Sequence, residues 1–298
     1  MEVDRVEQAV DGVIVVLGDT QRTSWGEVAL LGREQNEVAR HALIEKIAAE
    51  ERLAFVVHLG DMVDAGGVAE SWKYFDQLMS PLSARHIPIL PVFGNHDRWG
   101  SEREVMRHVR ARFPQLGSGG YYDMKFGELG LIWLDSTLQG RAGAVQSEWL
   151  ERTLLAFDRD AEVRGVVLFG HHPAYTNGKR RLGDRSVRER LLPRMLAAKK
   201  TLALMSGHVH GYERFYVQGR HFVVSGGGGG PRVEYLLPPH ALYDPAYVTP
   251  TGSPRPFNYV VLQRTSDALT FTVKCLNLNG ECPGGIIERF SAAYAATT

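Results

Sequence analysis

Side chains that suit a metal site follow five short apolar runs along the chain. They are Asp19, Asp61, Asn95, His171 and the pair His208 and His210. Carboxylate, amide oxygen and imidazole together suit Mn, Fe or Zn, and these motifs offer no cysteine thiolate. A carboxylate has two oxygens, so a single Asp can bridge two cations. The residue types are therefore consistent with a site for two metal ions.

The elements that must position these side chains are predicted to be buried strands. The apolar runs are rich in β-branched or aromatic residues and lie at Val13–Leu17, Phe55–Leu59, Ile87–Phe93, Val166–Phe169 and Leu202–Met205. Short apolar runs bounded by turn formers are typical of strands buried on both faces. A Gly precedes each polar motif and permits a sharp turn off the strand. Ligands in open α/β sheets bind beyond the carboxyl ends of strands, so we expect the motifs to meet there.

Helical patterns separate several of these runs. Residues 34–52 carry apolar side chains at helical spacing, and residues 145–157 place theirs on one helical face. Two serine-glutamate pairs match the capping box that begins a helix, Ser101 with Glu104 and Ser186 with Glu189. The alternation of strands and helices predicts an α/β protein.

The C-terminal third has a different pattern. Tyr259–Gln263 and Leu269–Lys274 flank a Thr-Ser-Asp turn and predict a β-hairpin. Cys275 and Cys282 bracket a short loop, where a disulfide and two reduced thiols are both plausible. A disulfide would indicate an oxidising compartment.

No linker interrupts the chain, so we predict one domain over residues 1–298. It would comprise a motif-bearing core at 13–230, a long loop rich in proline and aromatic residues at 231–258, and C-terminal strands at 259–290. Long loops of that kind are often lids over a site.

Composition excludes several classes of protein. The chain has 298 residues with 34 Lys plus Arg and 34 Asp plus Glu, so overall charge does not favour nucleic-acid binding. No apolar run approaches the roughly 20 residues that span a bilayer. Two cysteines exclude an all-cysteine zinc site and a disulfide-dense scaffold. The polar segment 1–11 shows no secretory signal, which predicts a cytoplasmic protein; an exported or periplasmic one is the alternative if the natural chain begins earlier.

Each motif alone has a plainer interpretation. A Gly-Asp pair after a strand is usually a turn, and a lone histidine is more often structural than a ligand. We assign His58 to the interior of its strand, and Asp64 could simply bond its own loop. Five such motifs, each at a strand end, are much harder to explain by chance.

Taken in order, the motifs resemble the signature of the calcineurin-like metallophosphoesterases. The matching segments are Gly-Asp at 18–19, Gly-Asp-x-x-Asp at 60–64, Gly-Asn-His-Asp at 94–97, His171, and Gly-His-x-His at 207–210. The run 207–214, the run 171–175 and the strand pair at 121–136 resemble the purple acid phosphatase branch. The resemblance implies a metallophosphoesterase fold, a four-layer αββα sandwich of two mixed β-sheets flanked by helices.

Two positions depart from the family pattern. Purple acid phosphatases carry an iron-binding Tyr three residues after the bridging Asp, and this chain has Asp64 there. The wider family usually has His where this chain has Gln21. We therefore expect a member similar to the purple acid phosphatases but without the purple iron centre.

The resemblance implies a role for each motif residue. The first of two metal ions, Fe, Mn or Zn, would bind Asp19, Asp61 and His210, with Gln21 as a further candidate. The second would bind Asp61, Asn95, His171 and His208. His96 would act as general acid or stabilise charge, and Asp97 would orient its ring. His172 would face the substrate or pack structurally.

Two further segments have more than one interpretation. The basic stretch that includes Arg180 and Arg181 is either a solvated surface or a site for an anionic group beyond the scissile phosphate. The glycine run 226–230 lacks the Lys-Ser/Thr of a phosphate-binding P-loop, and we interpret it as a turn beside the site.

The resemblance implies a phosphoesterase that acts on small phosphorylated substrates. A metal-bridging hydroxide would attack phosphorus, with monoesters favoured. One alternative is a phosphodiesterase acting on nucleotides or lipid head groups. An alternative of another class is a non-catalytic scaffold, which the full set of ligand residues disfavours.

Overall fold

Two six-stranded sheets form the centre of the protein. The computed structural model describes residues 10–117, 119–179, 183–237, 239–247, 255–278 and 280–295. The first sheet has the order β12-β11-β10-β1-β2-β3. Its strands are β1 (Val13–Leu17), β2 (Leu53–His58), β3 (Ile89–Pro91), β10 (Asn258–Arg264), β11 (Ala268–Cys275) and β12 (Ile286–Ala293).

The second sheet has the order β4-β5-β6-β7-β9-β8. Its strands are β4 (Tyr122–Phe126), β5 (Leu129–Trp133), β6 (Gly165–Gly170), β7 (Thr201–Ser206), β8 (Tyr212–Val217) and β9 (Arg220–Ser225). Both sheets are mixed. In the first, β1 pairs parallel with β2 and antiparallel with β10; in the second, β5 pairs parallel with β6 and antiparallel with β4.

Helices pack on the outer face of each sheet. The helices of the described residues are α1 (Trp25–Leu31), α2 (Glu37–Ala48), α3 (Ala69–Leu78), α4 (Ser80–Ala84), α5 (Glu102–Arg112), α6 (Gly140–Arg159) and α7 (Leu192–Ala197), and all but α1 contribute to these packed layers. One apolar cluster, which includes Phe55 and Trp133, fills the space between the sheets. Separate clusters join α2 and α3 to the first sheet and α6 and α7 to the second. The predicted four-layer αββα sandwich is confirmed.

Local signals predicted some helix starts and missed others. The Ser101 hydroxyl accepts a hydrogen bond from the backbone N–H of Glu104, so Ser101 caps the start of α5, as predicted. Ser186 does not begin a helix: it lies in helical conformation before a π-helical turn, Val187–Leu191, and its hydroxyl bonds Arg190. The Asp184 carboxylate instead accepts the Val187 N–H. A complete capping box at Ser24 and Glu27, which we did not predict, begins α1.

The C-terminal strands close the first sheet. β10 and β11 form the predicted hairpin, with Asn258 opposite Cys275 and Arg264 opposite Leu269. Cys275 and Cys282 form a disulfide just beyond β11, which resolves the open question about these two cysteines. Among the described residues, no helix combines the length and apolar character needed to cross a bilayer.

Candidate metal centre

The predicted ligands meet where strands of both sheets end. Asp19 follows β1, Asp61 follows β2 and Asn95 follows β3, while the second sheet contributes the loops after β6 and β7 with His171, His208 and His210. Asp19, Asp61 and His171 offer ligand atoms that lie within 4.8 Å of one another. Side chains that are up to 191 residues apart in the sequence therefore lie close together, as expected where the carboxyl ends of strands converge.

One group of candidate ligands is centred on the Nε2 atom of His171. It consists of His171 and its neighbours Asp61, Asn95 and His208. We call it the two-histidine half-site. That nitrogen lies 3.1 Å from Asn95 Oδ1, 3.2 Å from His208 Nδ1 and 3.4 Å from Asp61 Oδ2. Its partner atom, His171 Nδ1, lies 2.8 Å from the Leu59 carbonyl oxygen, to which it donates a hydrogen bond. The lone pairs of several acceptors therefore converge, an arrangement that fits a cation.

The other group consists of Asp19, Gln21, Asp61 and His210, and we call it the one-histidine half-site. His210 Nε2 lies 3.4 Å from Asp19 Oδ1 and 3.2 Å from Gln21 Nε2. His210 Nδ1 lies 2.7 Å from the Pro231 carbonyl oxygen, so this ring is also fixed from behind. Gln21 Oε1 is buried without a hydrogen-bond partner. Rotating the amide by half a turn would exchange its oxygen and nitrogen and aim an oxygen ligand at the centre.

The electrostatics of the site favour a positive charge between the carboxylates. Burial opposes ionisation of Asp61, but the charge of His171 and its hydrogen bond hold the pKa of Asp61 well below its usual range. Burial lowers the pKa of His171, yet Asp61 and Asp19 outweigh it and raise the pKa to about 9. A metal ion would supply the same positive charge, so the donor set fits the two cations that the family pattern implies.

Three of the predicted ligands have a backbone conformation that non-glycine residues rarely adopt. The φ angles are 65° for Asp19, 51° for Asp61 and 68° for His208. This left-handed conformation lowers the stability of the folded chain, and residues that adopt it cluster at functional sites. We expected the preceding glycines to make the sharp turns, but of these only Gly60 has a positive φ, of 87°. At most of the other preceding glycines there is no room for a side chain, because neighbouring atoms lie too close. A Cβ on Gly94, for example, would lie 2.2 Å from Asp61 Oδ1.

The glycine run 226–230 lies against the one-histidine half-site, which confirms its interpretation as a segment beside the site. A Cβ on Gly226 would lie 2.7 Å from Asp19 Oδ2, and one on Gly230 would lie 2.7 Å from the His210 ring. On Gly228 it would meet the Gly18 carbonyl oxygen at 2.2 Å. Because these residues have no side chains, the backbone of the run can pack directly against Asp19 and His210.

His96 lies in the 3₁₀ turn His96–Arg98 immediately after Asn95. Its backbone N–H donates to Asp61 Oδ1 at 2.8 Å, and its ring Nδ1 lies 3.1 Å from the Asp64 carbonyl oxygen. Trp99 packs against the ring with centroids 3.9 Å apart. The position of this imidazole, beside Asp61, is compatible with the predicted role of a general acid.

The expectation that Asp97 orients the His96 ring is wrong. The buried Asp97 carboxylate accepts backbone N–H groups of Met62, Val63 and Gly94 at 2.9, 3.3 and 2.8 Å. Burial raises the pKa of Asp97 to about 7, and the charge of Asp61 acts in the same direction. Asp97 therefore ties two ligand-bearing loops together, and the Asp64 carbonyl orients the His96 ring.

The substrate-binding predictions have mixed outcomes. His172 Nδ1 lies 2.9 Å from Ser136 Oγ, and its ring is 4.5 Å from that of His208. It therefore borders the two-histidine half-site. Arg180 and Arg181 lie outside the described residues. His58, assigned to its strand, is buried and lies 2.9 Å from the Thr20 hydroxyl.

Arg40 was not predicted from the sequence, yet it supports the backbone of the one-histidine half-site. This side chain is 1% exposed, and its Nη2 donates to the carbonyl oxygens of Gln21 and Gly229 at 3.0 Å each. A charged residue at a buried position of an amphipathic helix was the available signal, because such residues are rarely buried without a specific partner.

Asp64 and Arg22 at the edge of the site were also not predicted to interact. Their carboxylate and guanidinium groups approach to 3.7 Å, and the Arg22 guanidinium lies over the Tyr74 ring at 4.7 Å. Asp64, at the position of the iron-binding Tyr of purple acid phosphatases, therefore contacts Arg22 through its carboxylate and the His96 ring through its carbonyl oxygen.

The chain is similar to known proteins over most of its length. A family model described as calcineurin-like phosphoesterase matches residues 12–212. The chain is 24% identical over 250 residues to probable inactive purple acid phosphatase 9 of Arabidopsis thaliana, covering 72% of this chain and 38% of that protein. It is 28% identical over 169 residues to the glycerophosphodiester phosphodiesterase GpdQ of Enterobacter lignolyticus, covering 54% of this chain and 57% of that protein. The chain spans less than two thirds of the length of these relatives.

Among solved structures, the chain is similar to a purple acid phosphatase isolated from yellow lupin (Lupinus luteus) seeds. The TM-score is 0.72 at 19% sequence identity, and the match covers 95% of this chain and 53% of that chain. At this level of identity the likeness concerns the fold.

Proposed function

Because this chain belongs to the calcineurin-like phosphoesterase family, we propose that it hydrolyses phosphate esters, monoesters in preference to diesters, at a centre of two metal ions. The observation that carries the proposal is the convergence of donor atoms around His171 Nε2 and His210 Nε2, with separations of 3.1 to 3.4 Å between side chains from both sheets.

Each half-site would hold one cation. The two-histidine half-site offers Asn95 oxygen, two imidazole nitrogens and one oxygen of Asp61. The one-histidine half-site offers Asp19, His210, the Gln21 amide and the same Asp61 carboxylate, whose Oδ2 contacts both half-sites. Asp61 lies between the two groups, with contacts to both His171 and Gln21, so it is the residue that can serve both cations.

Two bound cations would lower the pKa of a water molecule and neutralise charge on the phosphoryl oxygens. The protein contributes the rest through fixed geometry. Hydrogen bonds to the carbonyls of Leu59 and Pro231 hold the ligand nitrogens of His171 and His210 in one orientation. Supporting contacts of this kind set the tautomer of a ligand histidine and increase its basicity.

His96 is the proposed proton donor to the leaving oxygen. Its Nδ1 faces the Asp64 carbonyl and so carries a hydrogen, which leaves Nε2 as the atom that can release a proton. The doubly protonated ring would act as the acid or would stabilise negative charge. Packing against Trp99 limits the orientations of the ring.

The preference for monoesters is tested by side-by-side turnover of p-nitrophenyl phosphate and bis-p-nitrophenyl phosphate by protein loaded with Mn, Zn or Fe. We expect higher kcat/KM for the monoester. The similarity to a glycerophosphodiester phosphodiesterase supports diester hydrolysis as the second candidate, and faster turnover of the diester would select it. No turnover of either compound with any of these metals would contradict the catalytic proposal and favour a binding scaffold.

A further inference from the structure

A cavity of about 410 Å³ opens beside the one-histidine half-site. Its lining consists of residues 31–34 at the end of α1, Lys179, His210, the segment 231–234 and Arg255. The volume lies in the range of small-molecule sites. His210 is also a candidate ligand of the one-histidine half-site, so the cavity adjoins the proposed metal centre through this residue.

The lining is mainly cationic, with four basic side chains and two carboxylates. Three of the basic side chains are already paired with carboxylates. These pairs are Arg33 with Glu27, Lys179 with Glu234 at 2.7 Å, and Arg232 with Glu34 and Glu281 at 2.9 Å each. Their charges are locally compensated, so these residues act chiefly as walls of the cavity.

Arg255 is different. No carboxylate of the described residues forms an ion pair with it, and Glu234 and Glu34 act on it only at longer range. Its buried Nε has no hydrogen-bond partner, and its guanidinium lies 5.5 Å from the centre of the Tyr235 ring. Arg232 donates to the Arg255 carbonyl at 3.3 Å, which holds the backbone in position. An arginine side chain remains charged in proteins. Within the described part of the chain, the Arg255 charge therefore has no carboxylate close enough to form an ion pair with it.

We propose that Arg255 binds a second anionic group of the substrate, a carboxylate or a phosphate carried by the alcohol part of the ester. The planar guanidinium suits both anions because it can donate two parallel hydrogen bonds. The inference rests on the proposed phosphoesterase function, and it makes the enzyme selective for esters with two separated anionic groups. It also assigns this recognition to a residue far in sequence from the basic stretch at 179–190.

The test uses non-hydrolysable ligands that differ only in the distal anion. Binding of 3-phosphonopropionate and propylphosphonate to metal-loaded protein is measured by calorimetry, together with longer homologues of each. We expect the carboxylate to increase affinity about tenfold at the best chain length, equal to ~1.4 kcal/mol. This gain should disappear in Arg255→Ala and Arg255→Gln and persist in part in Arg255→Lys. Arg103→Ala, at an exposed position of α5, is the matched control.

The outcomes separate the subsite from the catalytic proposal. Equal affinity for both ligands at every chain length in the wild type, or a gain unchanged in Arg255→Gln, overturns the subsite. A gain that depends on Arg255 in a protein without turnover of any phosphate ester supports the subsite and contradicts the catalytic function. Thermal unfolding of each variant verifies that the Ala and Gln proteins are folded.

Discussion

The two half-sites share Asp61 but are built differently. The two-histidine half-site takes ligands from loops after β2, β3, β6 and β7, and both sheets hold its nitrogen and oxygen donors in place. The one-histidine half-site has Gln21 where the family usually has a second histidine, and the glycine run supports it from behind. An amide oxygen is a weaker neutral donor than an imidazole nitrogen. From this difference we expect the two half-sites to bind cations with unequal affinity, and the following experiments test this.

Replacing the shared ligand should have the largest effect. Asp61→Asn keeps an oxygen that can accept the His96 N–H, so the fold should persist, while loss of charge weakens both half-sites. We expect turnover of p-nitrophenyl phosphate to fall below detection, with both metals reduced in elemental analysis. Asp64→Asn, whose carboxylate pairs with Arg22, is the control and should retain both metals. Turnover of Asp61→Asn near the wild-type rate would contradict the shared role.

His96→Ala should separate chemistry from metal binding. The backbone N–H that contacts Asp61 remains in the variant, so both half-sites should keep their metals. Loss of a positioned proton donor should lower kcat by roughly 10²–10⁴-fold. The loss should be smaller for p-nitrophenol, an acidic leaving group, than for an alkyl alcohol. Equal losses for both leaving groups would exclude the acid role and leave charge stabilisation.

Changes at Gln21 should affect only one half-site. Gln21→Ala should weaken the one-histidine half-site within the roughly 10–100-fold typical of supporting changes, and Gln21→His should strengthen it. Chelator titration with metal counting measures the two affinities, and the one-histidine half-site should empty first in the wild type. Two metals leaving together in the wild type and in Gln21→His would show that residue 21 does not cause the asymmetry.

A methyl group on the glycine run should have the smallest effect of the series. In Gly230→Ala the new Cβ would lie 2.7 Å from the His210 ring, which must shift. We expect a loss of stability of about 1 kcal/mol, typical of overpacking, and earlier metal loss from the one-histidine half-site alone. Gly26→Ala is the control, because its Cβ would meet nothing within 4 Å. Equal thermal unfolding of both variants would show that close packing behind His210 is unimportant.

Most of the fold, and the convergence of the candidate ligand residues, could be predicted from the sequence. Strand β1 was predicted with its observed bounds, the β10–β11 hairpin was confirmed, and the family match confirms the resemblance of the motifs. These features are local, because apolar runs, turn residues and metal-binding side chains at strand ends are visible in short segments. The assignment of individual residues to metal-binding and catalytic roles stays a prediction.

Tertiary structure decided which atoms face each other. Asp97 is adjacent to His96 in sequence, but its carboxylate accepts N–H groups from the loops after β2 and β3. Arg40 contacts Gly229, and the cavity brings Arg255 together with His210; sequence spacing carries no information about either contact. Asp184 and Ser186 both precede Val187, and only the folded chain shows that the Asp184 carboxylate accepts the Val187 N–H. Residue types determine which chemistry is available, whereas hydrogen-bond partners and cavities depend on how distant segments pack, and only the folded chain specifies that packing.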